Sequence, residues 1–320
     1  MRKRGMWGSI KVVGAMMFYR VSTSFVLMTL KPEGIYVPNV TPFNKKGEIM
    51  YDTLGELVEY WIKGGITGIV ANASTGEAPY LSREEKVEII QYIKEKAGKR
   101  AKVYAGTGAM STWETIELTK DAKDAGAEAA LVTTPFFFKP SDPEITQYFI
   151  DLINAVDLPV ILYNVPKFTG YSVSPKVVAN IAEECSGLVA MKDSSGNPGN
   201  MAEVIRLCGD KINCLSGSAD MMLPTLMLGG KGAIVAIGNV IPDDCVALYK
   251  AFKKGDESMA GTQQHTASLV NKILVRELPQ IAAIKTALNQ KGFNAGVPRK
   301  PLTELSSDAQ KAVKAAMMQV

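Results

Sequence analysis

From Gly34 onward, short apolar runs rich in β-branched residues alternate with longer segments whose apolar positions recur at three- and four-residue spacing. Eight runs read as strands: Ile35 to Thr41, Ile66 to Ala73, Lys102 to Gly106, Ala129 to Thr134, Val160 to Val165, Leu188 to Lys192, Asn213 to Gly217 and Ala233 to Gly238. Apolar strands separated by amphipathic crossovers are the pattern of a parallel sheet covered by helices. In the fourth crossover Ile145, Tyr148, Phe149, Leu152 and Val156 line one helix face. Ser82 with Glu85 and Ser111 with Glu114 predict capping boxes, and Asp142-Pro143 and Ser174-Pro175 place proline at a first helical position. The repeat neither pauses nor reverses. The expected fold is therefore α/β, a (β/α)8 TIM barrel over residues 28–240. A C-terminal helical region, 241–320, follows and packs on the barrel or on a neighbouring subunit. An open doubly wound sheet is the lesser alternative.

The segment before this repeat is different. Residues 1–27 begin with basic residues and carry the apolar run Val12 to Tyr19, bounded by Lys11 and Arg20. The run is far shorter than the roughly 20 residues of a membrane span, and no small-residue cleavage pattern follows it. Met28 is an alternative start, so 1–27 is read as an extension, with a cytoplasmic protein and no membrane partner expected.

Composition narrows the chemistry. With 47% hydrophobic and 21% charged residues the chain is an ordinary globular protein. Its net charge of +4 comes from 36 basic and 32 acidic residues spread along the helices, so no nucleic acid partner is expected. The single histidine, His265, lies in a polar stretch read as a helix surface, which leaves little material for a histidine-based metal site or a Ser-His-Asp triad. Cys185, Cys208, Cys214 and Cys245 show no C-x-x-C spacing and read as core thiols of a reducing compartment. Neither a metal nor a cofactor is expected: Gly229-Gly-Lys-Gly232 precedes a strand instead of opening a helix, and is a poor phosphate cradle.

In a barrel of this kind the carboxyl ends of the strands form the active face. Lys192 ends the sixth strand and Tyr163 ends the fifth. An apolar pocket disfavours the ammonium form of a lysine and frees an amine able to attack a ketone. The second strand leads into Ala73-Ser-Thr-Gly-Glu77, whose hydroxyls and turn amides suit a carboxylate. The fourth leads into the aromatic Thr134-Pro-Phe-Phe-Phe-Lys-Pro140, the seventh into Gly217, and the eighth carries Ile234. Taken singly, these are a solvated lysine, a helix cap and packing aromatics. Their convergence on one rim is what points to a site.

In these motifs, with Val40-Thr-Pro-Phe43, Tyr163-Asn-Val-Pro166, Met191-Lys-Asp-Ser-Ser-Gly196 and Val297-Pro-Arg-Lys-Pro-Leu302, the chain resembles the dihydrodipicolinate synthase and N-acetylneuraminate lyase family of class I aldolases from about Gly34 to Leu302. The resemblance implies that Lys192 forms a Schiff base with pyruvate or another 2-oxo acid. It makes Tyr163 the proton shuttle, Ser74 and Thr75 the carboxylate binders and Tyr163 partners, and the backbone at Ile234, with Gly217, part of the pyruvate pocket. It also implies a homo-oligomer, commonly a tetramer.

Two positions depart from the synthase branch. Phe137 stands where that branch has a tyrosine contributed across a subunit interface, and Phe168 stands where an arginine grips the carboxylate of the aldehyde. Losing such a contact costs about 1.5–3 kcal/mol or more in recognition. The expected activity is accordingly a pyruvate-dependent lyase or aldolase acting on an aldehyde of the 2-keto-3-deoxy sugar acid type. The alternatives are 4-hydroxy-tetrahydrodipicolinate synthase, which joins pyruvate to aspartate semialdehyde, and an inactive pyruvate-binding barrel.

Overall fold

The computed structural model describes residues 30–320, so the readings made for residues 1–27 lie outside the described part. All eight expected strands form: β1 (Gly34–Pro38), β2 (Gly68–Ala71), β3 (Lys102–Gly106), β4 (Ala129–Thr133), β5 (Val160–Asn164), β6 (Leu188–Asp193), β7 (Asn213–Ser216) and β8 (Gly232–Ile234). They are parallel and hydrogen-bonded in chain order, with β8 returning to β1, so the sheet closes into a barrel. The crossovers carry α1 (Tyr51–Lys63), α2 (Arg83–Ala97), α3 (Thr112–Asp124) and α4 (Asp142–Ala155). Further along come the one-turn α5 (Pro166–Thr169), α6 (Pro175–Glu184), α7 (Pro198–Cys208), α8 (Met222–Met227) and α9 (Pro242–Lys254). The fold is thus a (β/α)8 TIM barrel with additional helices after it.

Strand alternation divides the core into two layers. On β5, Ile161 and Tyr163 join Tyr36, Val70, Tyr104, Leu131, Leu215 and Ile234 in the barrel interior, while Leu162 packs outward with Met191 and the faces of α4 and α6. The α4 stripe is buried as its spacing predicts. Tyr36 and Tyr104 plug the interior with rings stacked at 5.0 Å. The four cysteines are buried and free, and His265 is exposed.

Several ends differ from the sequence reading. β1 leaves the ladder at Pro38, and the next residues bond elsewhere: Val40 N–H donates to Asn239 Oδ1 at 3.0 Å and Thr41 Oγ1 to the Gly76 carbonyl at 2.7 Å. β8 stops at Ile234, where residues 236–239 curl into a 3-10 turn. Ser82 and Glu85 complete a capping box. At Ser111 only half of the box forms, the hydroxyl accepting from Glu114 N–H at 3.2 Å. Ser141 caps α4, with its amide and hydroxyl both donating to the Glu144 carboxylate at 2.7 Å, so Pro143 is the second helical residue and not the first.

The helical stretch after the barrel is broken more than its pattern indicates. Gly255, in the left-handed region at φ 76°, ends α9. α10 (Glu257–Asn271) then runs directly into a π-helical segment, Lys272–Glu277, before α11 (Gln280–Gln290) and α12 (Ser307–Met317). No described helix is long and apolar enough to cross a membrane.

Candidate active site

Register places the central pair. Tyr163 on β5 lies beside Lys192 on β6, and the next residues, Asn164 and Asp193, are likewise paired. Paired residues of parallel strands share a face and successive residues alternate. Tyr163 and Lys192 therefore enter the barrel together, while Asn164 Nδ2 donates to Asp193 Oδ1 at 2.8 Å on the opposite side. Asp193 also accepts from the Ser195 amide at 2.8 Å and its hydroxyl at 2.9 Å, which fixes the chain just after Lys192.

Lys192 is 3% exposed, and its Nζ sits 4.0 Å from the centroid of the Tyr163 ring. It takes part in none of the ion pairs among the described residues. Burial holds its ammonium below the ordinary lysine range, against the pull of the Tyr163 phenol. At Tyr163 burial opposes ionisation, but the charge of Lys192 and the hydroxyls of Ser194 and Ser74 outweigh it and bring the phenol below its usual range. Ser194 Oγ lies 3.5 Å from the phenol oxygen. Gly217 gives the lysine its room: a Cβ there would lie 2.0 Å from Ser194 Oγ and 3.0 Å from Lys192 Cε. An amine whose ammonium form burial disfavours, beside a phenol able to give and take a proton, can form and hydrolyse an imine.

The segment after β2 borders this pair. Ser74–Gly76 is a 3-10 turn in which Ser74 is half-buried and Thr75 fully buried. Thr75 Oγ1 accepts from Gln280 Nε2 at 3.2 Å, and Thr41 donates to the Gly76 carbonyl. Glu77 ends the turn in the left-handed region at φ 62°. Its buried carboxylate accepts from Lys285 Nζ at 2.6 Å and from the Arg299 amide at 2.8 Å. Lys285, 1% exposed, also donates to the Val297 carbonyl at 2.8 Å, and burial pushes its pKa down to about 8 despite the Glu77 carboxylate.

The structure thus gathers Lys192, Tyr163, Ser74, Thr75 and Gly217, with Ile234 in the interior layer below. Phe137 and Phe168 lie on the exposed surface. Phe137 is 84% exposed at φ 79°, its ring edge-to-face with Phe138 at 5.1 Å, and Phe168 is 52% exposed. The aromatic loop instead lines an outer cavity of about 420 Å³ with Met110 and Tyr148. Sequence reasoning did not find Ser194, Gln280 or the Glu77–Lys285 pair. Ser194 stands inside a motif already singled out, but Gln280 and Lys285 come from a helix far along the chain.

Comparison with known proteins agrees with this architecture. The model of the dihydrodipicolinate synthetase family matches residues 31–320. A 4-hydroxy-tetrahydrodipicolinate synthase of Thermodesulfovibrio yellowstonii is 40% identical over 86% of this chain and 93% of its own length. Among solved structures, dihydrodipicolinate synthase DapA-2 of Bacillus anthracis superposes with a TM-score of 0.87 at 32% identity, covering 91% of this chain and 99% of that one. YagE, a prophage protein of the dihydrodipicolinic acid synthase family from E. coli K12 solved in complex with pyruvate, gives 0.86 at 30% identity, covering 90% and 98%.

Proposed function

Because this chain belongs to the dihydrodipicolinate synthetase family, whose members are class I Schiff-base aldolases and lyases, we propose that Lys192 captures pyruvate and joins it to an aldehyde. The observation that carries this is a buried lysine with no carboxylate partner, lying on the ring of Tyr163. The free amine attacks the keto carbon, and Tyr163 gives a proton to the departing hydroxyl as the carbinolamine loses water. The protonated imine then draws electrons from the neighbouring methyl carbon, which gives a proton to the Tyr163 phenolate, restoring the phenol and leaving an enamine. The enamine carbon attacks the aldehyde carbon, and the phenol protonates the oxygen that becomes a hydroxyl. Water finally hydrolyses the imine and frees Lys192. Ser74 and Thr75 hold the pyruvate carboxylate, Ser194 orients the phenol, and Gly217 and Ile234 shape the pocket.

The names of the relatives support aspartate semialdehyde as the aldehyde, that is, the 4-hydroxy-tetrahydrodipicolinate synthase reaction. This moves the synthase ahead of the 2-keto-3-deoxy sugar acid reading expected from sequence. Phe168, uncharged and half-exposed at the loop after β5, keeps the latter as the second reading. Turnover of pyruvate with a panel of aldehydes separates them. The synthase reading predicts that aspartate semialdehyde exceeds polyhydroxylated aldehydes by at least about tenfold in kcat/KM, the discrimination expected of one charge-assisted contact; equal or better turnover of the sugar-derived aldehyde gives the second reading. The exposed Met110, Trp113, Phe137 and Phe138 favour an oligomer, taken as a tetramer, with the aromatic loop between subunits. Buried free thiols accord with a cytoplasmic location.

A further inference from the structure

A cation at the mouth of the site would strengthen binding of an aldehyde that carries a carboxylate, and the loop after β5 does not supply a free one. Phe168 is apolar, and the neighbouring Lys167 is engaged: its Nζ lies 5.7 Å from the Phe168 ring centroid and donates to the Val275 carbonyl at 3.4 Å. That carbonyl belongs to the π-helical segment Lys272–Glu277. The next residue, Arg276, reaches the turn after β7, where its Nε lies 3.5 Å from Asp220 Oδ2. Residues 275 and 276 therefore span from the loop after β5 to the loop after β7. The strand between those two is β6, with Lys192 at its carboxyl end.

Arg276 differs from the other described arginines. Arg83, Arg100, Arg206 and Arg299 each hold a carboxylate through hydrogen bonds. Arg276 makes no hydrogen bond among the described residues, only the longer contact with Asp220, and its side chain is 56% exposed. Asp220 has its own support, since Asn271 Nδ2 donates to it at 2.8 Å, so the carboxylate stays in place if the guanidinium turns away. A guanidinium presents a planar fork suited to a carboxylate. A π turn carries an extra residue within a helix, and such turns are frequent at functional sites.

We propose that Arg276, aimed across the rim by the π-helical segment, grips the carboxylate of the aldehyde substrate and sets the preference for a charged second substrate. This rests on the reading that Lys192 captures pyruvate and adds it to an aldehyde. The test compares wild type, Arg276→Gln and Arg276→Gln/Phe168→Arg with pyruvate and three aldehydes: aspartate semialdehyde, succinic semialdehyde and neutral butanal. Borohydride trapping of pyruvate on each variant serves as the control for an intact first half-reaction. The expected result is a fall of about 10- to 100-fold in the charged-to-neutral ratio of kcat/KM for Arg276→Gln, carried mainly by KM, with the ratio recovering when Phe168→Arg is added. Equal losses for charged and neutral aldehydes, or an unchanged ratio, overturn the assignment. A wild-type enzyme that traps pyruvate yet does not discriminate by charge overturns Arg276 alone; one that traps no pyruvate overturns the Schiff-base reading and this inference with it.

Discussion

Two lysines are buried among the described residues, and their surroundings have little else in common. Lys192 and Lys285 are 3% and 1% exposed, and each lies over an aromatic ring, Tyr163 at 4.0 Å and Phe43 at 4.5 Å. Lys285 also has the Glu77 carboxylate and the Val297 carbonyl within hydrogen-bond distance. Lys192 has the phenol of Tyr163 and no acid. Burial alone lowers both ammonium groups, but only at Lys192 does the amine, once deprotonated, leave no buried carboxylate stranded. A matched charge makes a lysine a tie between helix and loop, and an unmatched one makes it a nucleophile. The tie also serves the site, because Lys285 and Gln280 on α11 brace the Ser74–Glu77 turn from one side.

Substitutions at either lysine separate the two roles. The largest effect is expected at the reactive one: Tyr163→Phe keeps the ring under Lys192 and removes its proton, so turnover should fall by about 10²- to 10⁴-fold with stability nearly intact, read by steady-state kinetics and urea unfolding. At the structural one, Lys285→Met strands Glu77 and should cost about 3–5 kcal/mol of unfolding free energy. Removing both charges, in Glu77→Gln/Lys285→Met, should be at least about 2 kcal/mol less costly than Lys285→Met alone; an equal loss would mean that packing and not charge holds the turn. The pH profile is the gentlest probe. Since the neutral amine attacks, the rate of imine formation should rise with pH through one ionisation below the ordinary lysine range and then level off. A rise that continues to the ordinary lysine pKa would contradict a desolvated Lys192.

How much of this could be read from the sequence follows the range of the interactions. β3 matches the expected Lys102 to Gly106 at both ends, because local alternation defines it. β1 and β8 are shorter than their apolar runs, because Val40 and residues 237–239 are buried by turns and not by ladder bonds. Tyr163 and Lys192 could be found as strand ends of adjacent repeats, and their shared face follows from parallel register. The tie between Glu77 and Lys285 could not be found, since it joins residues 208 apart with no shared motif. Nor could the π turn, since apolar spacing does not distinguish it from the helix it continues. Phe137 and Phe168 could be singled out by resemblance, but their exposure depends on the loop geometry of the folded chain.

The most direct test is to incubate the protein with pyruvate, reduce with borohydride and map the modified peptide. A single adduct is expected on Lys192, none on Lys285, and none in Lys192→Ala. An adduct on Lys285, or one that persists in Lys192→Ala, would contradict Lys192 as the Schiff-base lysine.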